Sequence, residues 1–238
     1  MSINIKFIKQ RALKTVSAAT SVAAKFVSQE VTADQINTQL VLITGNSTTT
    51  PPIIGQEEIV SQKESALFAA KGNWESGLDD LHLRTQQALG MAKNRFRDDP
   101  ASLTVIKNLK ATGKSREAIL AEALAWESAW SQLDPTWVPK AGNTLAALKV
   151  LRKQCAEDLK KIFSDAETEV RDENGTLKQM GNDLEALCVT WYADATRYFP
   201  AGTAEGDMIR ATVPTTYTGP ADPTPPAPAP APSPAKTL

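Results

Sequence analysis

Residues 60–96, VSQKESALFAAKGNWESGLDDLHLRTQQALGMAKNRF, decide the fold. Read at spacings of three and four, the stretch gives Val60, Lys63, Leu67, Ala70, Trp74, Leu78, Leu81, Thr85, Ala88, Ala92 and Phe96, one stripe of a helix about forty residues long. A stripe of that length requires a covering partner from this chain or another. The same beat recurs downstream. Ile119, Ala123, Trp126, Trp130 and Leu133 form a second stripe. Leu145, Leu148, Leu151, Cys155, Leu159, Ile162, Ala166 and Val170 form a third, over about 141–172. Leu177, Met180, Leu184, Leu187, Trp191, Ala195 and Tyr198 form a fourth. Asp99-Pro100 predicts a short helix in between, with an aspartate cap and proline at the first helical position.

Turn chemistry separates the stripes. Asp134-Pro135 and Pro139 turn the chain, and Asn174-Gly175 followed by the capping-box pattern Thr176-x-x-Gln179 predicts an end and a restart. Short connections make neighbouring helices antiparallel. The expected fold is therefore all-α: an antiparallel long-helix bundle of about four main helices, with an additional N-terminal helix and a disordered or extended Pro-rich C-terminal tail. Its organisation reads as 1–44, a basic amphipathic helix plus a short helix capped by Thr32-x-x-Gln35, and 45–54, a Gly/Asn/Ser/Thr/Pro linker. The bundle follows over 55–199, then a short loop or helix over 200–218, and Pro/Ala-rich sequence over 219–238. Gly72, Gly77 and Gly90 inside the first long helix predict close helix approach or a kink. The first stripe outlasts the fourth, so part of it is expected to need cover from elsewhere.

Composition narrows the function. With 42% apolar residues, much of them Ala, and a net charge of −1 over 238 residues, nothing pulls toward nucleic acid. No run approaches the length of a membrane-spanning helix. The two cysteines, Cys155 and Cys188, form neither a disulfide framework nor a Cys/His cluster. If they lie on consecutive antiparallel helices, their axial offset of roughly 4.5–9 Å straddles the limit for a bridge of about 7 Å, leaving buried free thiols or a disulfide.

Several segments resemble chemistry and fail its requirements. Gly113-Lys-Ser115 ends like a phosphate loop, but Asn108 stands where the first glycine is needed, and a helix precedes it where a strand should. Glu75, Asp79 and His82 share a helix face, yet a di-metal bundle needs a Glu-x-x-His pair from each of two helices and the chain has one histidine. Adjacent acids at Asp79-Asp80 and Asp98-Asp99 point about 100° apart, and no sequence signal indicates a buried acid. Around Trp126 and Trp130 the neighbours are Glu122, Glu127 and Ser131, not interleaved Lys and Arg, and the five tryptophans read as core. No catalytic, cofactor-binding or metal-ligating residue is expected.

The leading expectation is a non-enzymatic structural protein, a scaffold or assembly subunit that associates with itself or another protein through its helix surfaces, in the cytoplasm. The alternative is a cell-envelope or membrane-surface protein. Residues 1–29 carry Lys6, Lys9, Arg11, Lys14 and Lys25 with no acid, and Ile5, Ile8, Ala12, Val16, Ala19, Ala23 and Phe26 near one face. That pattern suits an anionic membrane surface, and Val22-Ala23-Ala24 after an uncharged run also outlines an export signal. A metal-binding bundle completed across subunits is the remote alternative. The Pro-x-x-Pro spacings of the tail fit a spacer or a ligand for an aromatic groove.

Overall fold

A computed structural model describes residues 4–109 and 113–213. Among these residues the chain is all-α, with no β-strand: α1 (Ile5–Val22), α2 (Ala33–Thr44), α3 (Gln56–Arg95), α4 (Pro100–Asn108), α5 (Arg116–Leu133), α6 (Leu145–Lys153), a π-helical turn (Gln154–Asp158), α7 (Leu159–Tyr198) and α8 (Ala204–Arg210). The Pro/Ala-rich sequence 219–238 lies outside the described residues. Two compact units divide the chain, one built from residues 1–38 and 183–238 and the other from 39–182.

Asp99 caps α4 as expected, accepting from the amides of Ala101 and Ser102. Ser115 accepts from Ala118 to cap α5, and Thr144, not singled out in the sequence, accepts from Ala147 to cap α6. Thr32 and Gln35 close a reciprocal box, with Thr32 N donating to Gln35 Oε1 at 2.8 Å and Gln35 N to Thr32 Oγ1 at 3.2 Å. The linker closes on itself. Asn46 and Ile53 form an isolated antiparallel bridge, and Gly45 (φ +80°) packs backbone to backbone against Gly55, the residue preceding α3.

In the unit spanning 39–182, the second half of α3 is the spine of a compact head. Trp74, Leu78, Leu81, Ala88, Leu89 and Ala92 pack with Ile119, Ala123, Trp126 and Trp130 of α5, Leu145 and Leu148 of α6, and Cys155 of the π turn, while Ile106 of α4 joins the same core. The first half of α3 runs antiparallel to the start of α7 as a two-helix stem. Trp74 stacks on Phe163 at 5.3 Å, Lys63 donates to Glu169 at 2.9 Å and Gln56 to the carboxylate of Glu173 at 2.6 Å. Of the three helix-interior glycines of α3, only Gly77 lies against a neighbour, beneath Leu159 and Cys155; Gly72 and Gly90 face open space.

Three expectations are corrected. The helix does not end at Asn174-Gly175, which lie inside α7. Asn174 Nδ2 donates to Val170 O at 3.0 Å and Thr176 Oγ1 to Asp172 O at 3.2 Å, so the would-be cap residues bond back into the preceding turn. The third and fourth stripes are therefore one helix, and Cys155 and Cys188 stand about nine turns apart along it as free, buried thiols. Finally, Ile162 is not core. Phe163, four residues after Leu159, meets Trp74 in its place and Ile162 points outward, 55% exposed, while Leu159, Ala166 and Val170 keep the expected face.

The other unit joins the chain's two ends. Ile8, Ala12, Thr15, Ala18, Ala19 and Val22 of α1 are buried, as are Leu184, Cys188, Trp191 and Ala195 along the final turns of α7 and Ile209 of α8. Arg11 Nη1 lies 3.2 Å from Glu185 Oε1, and Lys25 pairs with Glu205. The buried face of α1 overlaps the stripe read from sequence at Ile8, Ala12 and Ala19, with Arg11, Thr15, Ala18 and Val22 added and Ala23 left outside.

Candidate functional site

Two surfaces stand out, one in each unit. The stem of the 39–182 unit carries the long apolar stripe, whose two helices cover each other along one edge, with α2 reaching it at the Met180 end where Gln39 Nε2 donates to Met180 O at 3.3 Å. Between Val60 and Trp74, α3 buries Ala70 alone. Between Leu159 and Met180, α7 buries no residue fully; Phe163, Ala166, Val170, Leu177 and Met180 are all half-buried. Phe68, one position beyond the inward-facing Leu67, is 81% exposed. Two helices shield each other's facing edges and leave the flanks wet. The polar contacts Lys63–Glu169 and Gln56–Glu173 fix the register of the pair.

The second surface is a cleft of about 520 Å³ in the unit of the chain ends, lined by Lys25, Phe26, Val27, Gln29, Glu30, Asp194, Arg197 and Tyr198. Aromatic rings make its apolar part. Phe26 lies 5.2 Å from the Tyr198 ring and 5.8 Å from Phe199, and Tyr198 meets Phe199 edge-on at 4.9 Å. Val27 (68% exposed) and Tyr198 (59%) remain open to solvent. The 25–30 segment is pinned at both ends. Lys25 holds Glu205, which raises the lysine pKa and lowers that of the carboxyl through their shared hydrogen bond. Ser28 donates to Asp194 and also receives the amides of Glu30 and Val31. Sequence reading places Phe26 and Tyr198 on separate stripes. No local pattern joins positions so far apart in the chain.

The residues singled out for chemistry are used structurally. Glu75 binds Arg116 at 2.8 Å, and that guanidinium lies over the Trp74 ring at 4.4 Å. Asp80 pairs with Arg84, and Asp79 is exposed. His82 Nδ1 lies 3.5 Å from Glu122 Oε2, while Gln86 Nε2 donates to Glu122 Oε1 at 2.6 Å. Glu122, only 5% exposed, is the buried acid the sequence does not announce. The one available signal is that His82 and Gln86 are four apart and present polar atoms to the same side of α3. Among the described residues, no three His, Cys, Asp or Glu side chains gather as metal donors. Of the Gly-Lys-Ser motif, Ser115 caps α5 and Lys114 is exposed.

Burial raises the pKa of both thiols. At Cys155 a nearby Asp80 charge adds to the effect. At Cys188 the Thr15 hydroxyl and Arg11 partly offset it. A thiol held neutral is a poor nucleophile. Among the described residues no helix is long and apolar enough to cross a membrane. No protein family, curated protein or solved structure matches the chain significantly.

Proposed function

We propose that this protein is a non-enzymatic assembly subunit that associates with further copies of itself through the flanks of the α3–α7 stem. The observation that supports this reading is the half-buried stripe from Phe163 to Met180, about 27 Å of helix, which α3 covers along one edge and α2 touches only at its Met180 end. Phe68, outside that stripe and almost fully exposed, extends the apolar surface. Single exposed apolar residues are ordinary on a protein surface. A continuous seam that two helices leave partly open is different, because a third or fourth helix is the usual way to close it. A second stem laid alongside supplies that helix pair with matching apolar spacing.

The test is mass by sedimentation or light scattering over a wide concentration range, on the parent and on Phe68→Glu/Ile162→Glu. Both side chains are exposed, so the substitutions spare the fold. The parent should associate and the double variant should not. A parent that is monomeric at every concentration removes the proposal.

A further inference from the structure

We infer that the aromatic cleft formed by Phe26, Val27 and Tyr198 is the docking site for the chain's own Pro/Ala-rich segment, residues 219–238. The cleft's volume of about 520 Å³ falls in the range of roughly 300–1,000 Å³ typical of ligand sites. Its chemistry suits a proline-rich occupant. Each proline lacks an N–H and keeps a carbonyl acceptor, so such a chain needs flat apolar surface for its rings and donors for its carbonyls. Phe26, Tyr198 and Val27 supply the surface, and the Tyr198 hydroxyl, the Gln29 amide and the Arg197 guanidinium supply donors along the same cleft. A nucleic-acid or acidic ligand would meet Glu30 and Asp194 in the wall.

The occupant is marked by charge and reach. The segment contains Pro220-Ala-Asp-Pro223, Pro223-Thr-Pro-Pro226 and Pro226-Ala-Pro-Ala-Pro230, with Asp222 toward its start and Lys236 toward its end. Lys236 complements Glu30 in the cleft wall and stands beside the prolines at 226–234. The described chain ends at Val213, just after α8, whose first turn is already tied to the cleft by the Lys25–Glu205 pair. Val213 follows Glu205 by about 12 Å of helical rise. Residues 214–219 span about 20 Å when extended, at roughly 3.3–3.6 Å each. That reach returns the chain to the cleft with the whole Pro/Ala segment still available.

The experiment is paramagnetic relaxation enhancement on the full-length chain. A nitroxide is attached at Ser233→Cys under native conditions, where Cys155 and Cys188 are buried. Selective broadening of the amide signals of Val27, Gln29, Glu30 and Arg197 is expected. The broadening should be independent of protein concentration, and it should be lost in Val27→Glu, in Tyr198→Ala and when Pro226, Pro228, Pro230, Pro232 and Pro234 are all replaced by Ala. Val27→Glu alters an exposed side chain, so the fold survives even if Tyr198→Ala loosens the ring cluster. Broadening that rises with concentration places a second copy's segment in the cleft and overturns the intrachain assignment. Absent broadening, or uniform broadening indifferent to these substitutions, overturns the site.

Discussion

At the scale of single residues, the glycines separate by what surrounds them. A Cβ on Gly55 would sit 2.2 Å from Gly45 N and 2.6 Å from Ile43 O, backbone atoms that cannot swing aside. Gly55→Ala should therefore force the α2–α3 loop open and cost about 3 kcal/mol, the upper end of overpacking. Gly72→Ala meets nothing within 4 Å inside a helix and should gain about 1 kcal/mol. Thermal melts followed by circular dichroism check both, and equal shifts would contradict the close approach at Gly45. The thiols make a second prediction. Burial raises both above their ordinary value of 9.0. The stability linked to keeping them neutral is then intact below pH 9 and lost as pH rises through the folded-state values. The parent's melting temperature should fall more steeply above pH 9 than that of Cys188→Ala. The slope is the readout, since the cavity left by the substitution lowers the whole curve. Parallel curves would mean that Cys188 ionises as freely folded as unfolded.

At the scale of elements, the helices and their caps are legible in the sequence because both are local. Asp99-Pro100, Ser115 and Thr32-x-x-Gln35 act within one turn, and the structure uses all three. The misreadings are where local and tertiary signals compete. Asn174-Gly175 has the chemistry of a helix end, but the apolar stripe continues through Val170, Leu177 and Met180, and α7 follows the stripe. The π turn at Gln154–Asp158 leaves no local mark either, because its stabilising contacts come from α3. Trp74 Nε1 donates to Cys155 O at 3.0 Å, and the missing side chain at Gly77 lets Cys155 and Leu159 close against α3. Trp74→Phe keeps an aromatic ring beside Phe163 while removing the donor and part of the buried indole. It should cost about 1 kcal/mol for the donor together with the loss from the smaller ring, and speed amide exchange through residues 154–160, read by hydrogen–deuterium exchange. Unchanged exchange there would show that the turn stands without the indole. The cleft and Glu122 were illegible for the same reason. Phe26 meets Tyr198, and Glu122 meets His82, only after distant stretches pack.

At the scale of the whole molecule, one unit is assembled from sequence at both ends of the chain, so its core depends on contacts of long sequence separation. α1 contributes Ile8, Ala12, Ala18, Ala19 and Val22 to that core, and Thr15 of α1 hydrogen-bonds Cys188. The same α1 is the segment that, by its basic start and its Val22-Ala23-Ala24 step, outlines a removable export signal. The two roles make opposite demands. A core helix cannot be discarded without exposing what it covers, at about 1.5–3 kcal/mol for each of Ile8 and Val22, against a total stability of about 5–15 kcal/mol for a domain. A chain beginning at Lys25 should therefore leave Cys188 open to solvent. Its alkylation by iodoacetamide should approach the rate in denaturant, and Trp191 emission should shift to the red. Cys155, which lies in the other unit beneath the head core, supplies the internal control and should stay slow. Site-resolved mass spectrometry of the two cysteine peptides reads both thiols in one experiment. If Cys188 stays as protected as Cys155, the 183–213 segment holds its core without α1, and residues 1–24 are free to serve as a leader. If Cys188 alone becomes reactive, α1 is structural and the membrane-surface reading must be carried by its exposed face, where Lys6, Leu13 and Lys14 stand.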